Sequence, residues 1–182
     1  MVYVFLADGF EEIEALATVD ILRRSKIEVL TVSVSEKTVK GAHGINIEAD
    51  ITKEEFDINK PFDCVMLPGG MPGTKNLDKS PLVKEILNKS AEENKFIAAI
   101  CAAPLILGKM GILRGKNAVC YPGFESNLLG ANIVNEPSVR DGFILTGKGP
   151  GAVFDFAFAL CDMIKGESKT SSKLKKEMQC DR

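Results

Sequence analysis

The chain has 182 residues, enough for one compact α/β domain, and its 45% hydrophobic fraction can fill a core covered on two faces. Twenty-three basic residues against twenty-five acidic ones leave a formal charge of −2, without the excess of positive charge that a dedicated nucleic-acid binder carries. The opening MVYVFLADGFEE lacks a basic leader, and no apolar run nears the ~20 residues of a spanning helix, so a cytoplasmic protein with no membrane partner is expected.

Short apolar runs alternate with amphipathic stretches, the pattern of a mostly parallel sheet with helices on both faces. Residues 2–7 read as a buried strand broken by Asp8-Gly9. Residues 10–24 read as a helix with Ile13, Leu16, Ala17 and Ile21 on its apolar stripe, acids in its first turn and Arg23 and Arg24 in its last. A strand at 26–34 and a glycine-punctuated hairpin at 39–48 follow. Residues 62–70 form a strand ending in a glycine turn, and Ser80 caps a helix over 80–95 with Pro81 at its first position. The stretch KFIAAICAAPLILGKMG runs a strand directly into a helix that reaches about Gly111. Strands at 117–121, 131–134 and 142–147, a short helix near 124–130 and an apolar-faced helix at 149–166 complete the domain over 1–166. Residues 167–182 are a polar, basic tail or a terminal helix of the same domain.

The five cysteines, Cys64, Cys101, Cys120, Cys161 and Cys180, are odd in number and widely spaced, with no C-x-x-C pair and a single histidine, His43. Free thiols in a reducing compartment, and no metal site, are the expectation. Cys101 stands apart because it sits at the carboxyl end of a strand, where ligands collect in an open α/β sheet and the next helix points its N-terminus at the crevice. A thiolate there would have its pKa lowered by the helix dipole and by free first-turn amides. The small Ala99, Ala102 and Ala103 allow the tight turn. A small buried hydrophobe is the alternative for Cys101. The paired glycines Gly69 and Gly70 end a second strand, so the Gly70 amide could join that of Ala102 in an oxyanion hole; a plain turn is the alternative. Glu14 lies beside Ile13 on the rim of the first helix's stripe, from which its carboxyl could enter the crevice and be raised in pKa by desolvation; a solvated, dipole-compensating role is the alternative. Gly149 and Pro150 would line another wall, and no phosphate-loop spacing occurs.

With LADGFEEIEAL, FDCVMLPGG, AAICAAP and ILTGKGPG in this order, residues 1 to about 166 resemble the ThiJ/PfpI superfamily, within it the clade of the parkinsonism-associated protein deglycase and its bacterial ThiJ-like relatives. The resemblance implies a flavodoxin-like three-layer sandwich, a homodimer, and a reactive cysteine on a nucleophile elbow. It assigns Cys101 as nucleophile, Glu14 as the acid hydrogen-bonded to it, Gly70 and Ala102 as the surrounding amides, and Gly149 and Pro150 as pocket lining. Where many members place a histidine, after the short helix, this chain has Ala131 at the approximate position, so a Cys-His-acid triad within one subunit is not expected. His43 reads as an exposed loop residue, with a dimer-interface or pocket role as the alternative.

Three functions follow. The first is cofactor-independent detoxification of small aldehydes such as methylglyoxal or glyoxal, or of their amine and thiol adducts, by a Cys-Glu dyad. The second is a redox-sensing or chaperone-like stress protein in which Cys101 is oxidised. The third is a cysteine peptidase, which would need a partner subunit to bring His43 to the crevice.

Overall fold

The computed structural model describes residues 1–180. The chain runs β1 (Val2–Leu6), α1 (Glu12–Arg24), β2 (Val29–Ser33), β3 (Thr38–Lys40), β4 (Asn46–Glu48), β5 (Ile51–Thr52), β6 (Cys64–Leu67), α2 (Gly73–Lys79), α3 (Pro81–Glu92) and β7 (Phe96–Ile100). It continues through α4 (Pro104–Lys109), β8 (Asn117–Ala118), β9 (Asn132–Ile133), β10 (Ser138–Asp141), β11 (Ile144–Gly147), α5 (Val153–Lys165) and α6 (Lys169–Glu177), with single 3₁₀ turns at Glu125–Asn127 and Pro150–Ala152.

Seven strands form the central sheet in the order β10-β11-β7-β6-β1-β2-β5. All its pairs are parallel except β10 against β11. Strands buried on both faces need apolar residues at every position, and β1 is fully buried along Val-Tyr-Val-Phe-Leu. Helices α1 and α5 pack together, α5 on β7 and β11, while α2 and α3 lie on β1, β6 and β7. This is a flavodoxin-like α/β sandwich. The chain moves outward from β1 to β2 and β5, then returns to β6 on the other side of β1, so the sheet changes winding direction between β1 and β6. A crevice opens at the carboxyl ends of strands at such a point.

The hairpin at 39–48 is the antiparallel pair β3–β4. Ser80 caps α3 through an acceptance from the Val83 amide, with Pro81 at its first position. Helix α2 and strand β10 are additions to the sequence reading. In the tail, α6 docks on α5: Leu174 is buried with Ile21, Ala157 and Phe158, and the Lys175 ammonium stands 5.2 Å from the Phe158 ring centroid. The last two residues of the tail lie outside the described part.

Helix α1 corrects the expected stripe. Ile13 is 53% exposed and Leu16 also faces outward, whereas Glu14, Ala15, Thr18, Val19, Ile21 and Leu22 are buried. The apolar spacing predicts Ile13 on the core face, but the helix turns Glu14 inward and leaves Ile13 outside.

Candidate active site

Three chain turns meet at the carboxyl ends of β1, β6 and β7. The one after β7 carries Cys101 at φ +64°, a left-handed conformation that costs a residue with a side chain roughly 1–2 kcal/mol. The main chain holds it from both sides: the Cys101 amide donates to Gly147 O at 2.9 Å, and Cys101 O accepts the Tyr121 amide at 2.8 Å. Ala102 and Ala103 are buried in the turn leading into α4, as their small size requires.

The turn after β6 supplies Gly69 and Gly70. A Cβ on Gly69 would stand 2.6 Å from Cys101 Cβ, 2.8 Å from Glu14 Oε2 and 3.0 Å from Cys101 Sγ. Only glycine leaves that volume free, and the thiol and the carboxyl both border it. Gly70 adopts φ +89°, and a Cβ there would strike the main chain of residues 9–11. The amides of Gly70 and Ala102 point at Sγ and favour its anion.

Glu14 enters from α1, whose first turn is fixed when the Glu11 carboxylate accepts the Glu14 amide at 2.9 Å. The Glu14 side chain has no exposed surface. Its Oε2 accepts the Gly69 amide at 2.8 Å, while its buried Oε1 has no hydrogen-bond partner among the described residues. Burial pushes the Glu14 carboxyl up to about 7, against the opposing pull of the Gly69 amide and the Cys101 thiol.

The thiol departs from expectation. Cys101 is only 8% exposed. Burial first, and then the charge and hydrogen bonding of an ionised Glu14, push it up to about 12 against the Gly70 and Ala102 amides. A helix dipole would lower the thiol, but α4 has six residues and starts three positions beyond the sulfur. Two negative charges in one buried niche disfavour each other, so the two groups titrate as a coupled pair in which ionising one holds the proton on the other.

His43 lies on an exposed loop, yet its ring is engaged. Nδ1 is 2.9 Å from Glu12 Oε2 and 3.8 Å from Glu11 Oε1, and Glu12 Oε1 accepts the His43 amide at 2.7 Å. The hydrogen bond to Glu12 and its charge raise the His43 pKa. Burial works to raise Glu12, but the His43 ring and main-chain amides hold it below the usual carboxylate range. Glu11, Glu12 and His43 bring three potential ligand atoms within 4.8 Å of one another, the one group among the described residues that could hold a metal ion. Each carboxylate already accepts a main-chain hydrogen bond.

Ala131 packs against the core. The aromatic residue joined to the Cys101 main chain is instead Tyr121, which the sequence reading passed over. Gly149 and Pro150 line a cavity of about 590 Å³ that adjoins the elbow through Tyr121, although the thiol itself is not on its wall. A cavity of about 610 Å³, bordered by Asp8, Ser35 and Lys53, includes none of the elbow residues. Cys64, Cys120 and Cys161 are buried, and burial raises all three thiols, Cys120 to about 11.

The DJ-1/PfpI family pattern matches residues 1–163. The chain belongs to the DJ-1/PfpI family. It is 34% identical to the glutathione-independent glyoxalase DJR-1.2 of Caenorhabditis elegans, over 91% of this chain and 88% of that one. It is 30% identical to a deglycase of Pyrococcus abyssi, over 90% and 99%. Against DJ-1 homolog B of Arabidopsis thaliana, 34% identical, it covers 92% of itself but only 39% of that protein. Among solved structures, a cysteine-to-alanine mutant of a DJ-1 superfamily protein from Salmonella typhimurium superposes with a TM-score of 0.93 at 37% identity, covering 98% of this chain and 97% of that one. Oxidized Toxoplasma gondii DJ-1 gives 0.92 at 31%, with the same coverage. Among the described residues, no helix of this DJ-1/PfpI member is long and apolar enough to cross a membrane.

Proposed function

We propose that this protein converts small reactive aldehydes, methylglyoxal or glyoxal and their early adducts, into hydroxy acids through Cys101 and Glu14. The observation that carries the reading is the buried Glu14 Oε1, which has no hydrogen-bond partner, in a carboxyl that borders the Gly69 gap together with Cys101 Sγ. A bare carboxylate oxygen there is costly, whereas a protonated one has an O–H to give to a thiolate. The reactive form of the pair is thiolate with carboxylic acid, reached when the thiol proton passes to Glu14.

Sγ adds to the aldehyde carbon of methylglyoxal, and the oxygen that gains the electron pair takes the Glu14 proton while the Gly70 and Ala102 amides stabilise it. Ionised Glu14 then removes the hydrogen on that carbon as a proton, and the electrons pass to the neighbouring carbonyl to give an enediol. Reprotonation at the second carbon leaves lactate bound as a thioester of Cys101. Water hydrolyses the thioester and restores the thiolate. The sum is methylglyoxal plus water giving lactate, an internal redox exchange that requires no external oxidant or cofactor. Named glyoxalase and deglycase relatives support this substrate class. Purified protein should form lactate from methylglyoxal well above a Cys101→Ser control; equal rates would reject the reading.

A second copy of this chain is the proposed partner. Ile13 and Ile45, 53% and 54% exposed, and the outward-facing Leu16 are apolar side chains that α1 and the β3–β4 loop offer to such a partner. Five unpaired cysteines support a reducing cytoplasmic setting. The formal charge of −2 supports no dedicated nucleic-acid partner.

Redox sensing is the alternative, supported by the oxidized Toxoplasma neighbour and by the same acid, which could donate to a sulfinate. Sulfinate confined to Cys101 after mild peroxide, without aldehyde turnover, would favour it. The peptidase reading has less support, because the His43 ring is directed at Glu12.

A further inference from the structure

The cavity of about 590 Å³ beside the elbow has a chemistry that the aldehyde reaction does not use. Tyr121 connects it to the site, since its amide is bound to Cys101 O and its ring packs over Gly149. One wall carries Lys148, whose Nζ donates to Asn135 Oδ1 at 2.8 Å. The wall also includes Asp155, from the first turn of α5, and Glu136. Among the described residues none of these three charges has a salt-bridge partner, although both signs share one concavity.

Free methylglyoxal has no charge and would leave such a groove empty. A ligand with an ammonium and a carboxylate on one carbon would satisfy both signs of charge, while the aromatic face of Tyr121 would contact its side chain. We propose that the groove of Tyr121, Lys148 and Asp155 binds the zwitterionic end of a free amino acid, so that the substrates include aldehyde adducts of free amino-acid thiols or amines in preference to adducts embedded in a protein chain. Lys148 takes the carboxylate, and Asp155, on a lining that also includes Glu136, takes the ammonium. Residues inside a polypeptide lack both charges and gain nothing from the groove. The inference rests on the aldehyde reading for the chemistry at Cys101, but the groove can be tested without turnover.

The probe is S-methyl-L-cysteine, which cannot react, used to protect Cys101 in the full-length protein from alkylation by iodoacetamide. Its methyl ester lacks the carboxylate, and its N-acetyl derivative lacks the ammonium. The zwitterion should protect at concentrations about fivefold lower than either derivative, the scale of one partly screened charge contact. Lys148→Gln should abolish the difference between the acid and the ester, and Asp155→Asn should reduce the difference made by N-acetylation. Equal protection by all three compounds, no protection by any, or variants that weaken all three alike would overturn the proposal. The same preparation is assayed for lactate formation from methylglyoxal. Turnover without charge-dependent protection overturns the groove alone; protection without turnover supports the groove and overturns the aldehyde chemistry.

Discussion

Replacing Gly69 with alanine should disable the site while leaving the fold in place. Gly69 does not occupy the left-handed region, so alanine can take up its backbone and the effect is steric. The new methyl would stand 2.6 Å from Cys101 Cβ and 3.0 Å from Sγ. Carbon contacts settle at about 3.5–4.0 Å, so roughly 1 Å must be surrendered. The closest contact is to Cys101 Cβ, which moves only with its main chain, so the elbow held by Gly147 O and the Tyr121 amide must shift and carry the thiol away from the Glu14 carboxyl. Overpacking of this kind costs about 1–3 kcal/mol of stability. A displacement near 1 Å at reacting groups costs on the order of 100-fold in rate. The assay is lactate production from methylglyoxal, expressed as kcat/KM, with circular dichroism and thermal melting as the check on folding. A folded Gly69→Ala protein within about twofold of the wild-type rate would show that the close approach of sulfur and carboxyl is not what drives the chemistry.

Glu14→Gln should change the pH dependence of stability. A carboxyl raised from its ordinary 4.5 to about 7 by burial favours the fold while protonated, so stability falls as pH rises through that window, by on the order of 3 kcal/mol. Melting curves of the wild type and Glu14→Gln should therefore converge or cross between pH 4.5 and 7, and parallel curves would contradict the burial argument. The His43 ring should titrate above its ordinary 6.5 by NMR and return to it in Glu12→Gln; its clasp with Glu12 holds below pH 6.5 and loosens as pH rises through the raised value. Ile13→Asp should shift the protein from dimer to monomer in light scattering, and an unchanged mass would remove α1 from the proposed interface.

Much of the fold was legible because its signals are local. Val2–Leu6 and Phe96–Ile100 are short all-apolar runs, and Ser80-Pro81 announces the start of α3. The site residues were legible as positions, at turns after three strands that the parallel topology gathers in one crevice. Other features depended on tertiary context. Helical spacing places Ile13 and Glu14 side by side but does not say which faces the sheet. The helix α2 has no capping side chain to mark its start, and β10 pairs only as an antiparallel edge. Tyr121 was missed because it reaches Cys101 through its main chain, a contact without a sequence signature. The direction of the thiol's shift is not legible for a similar reason, since position suggests a dipole and only the packed structure shows the burial and the nearby carboxyl that oppose it.

The most direct test is thiolate absorbance near 240 nm against pH, recorded as the difference between wild type and Cys101→Ser. Burial and the charge of an ionised Glu14 predict that the Cys101 thiolate forms above the free-thiol value of about 8.5, and that the inflection moves downward in Glu14→Gln, where that charge is gone. An inflection that stays in place in Glu14→Gln would mean that sulfur and carboxyl do not share their proton, and the Cys101–Glu14 chemistry would be contradicted.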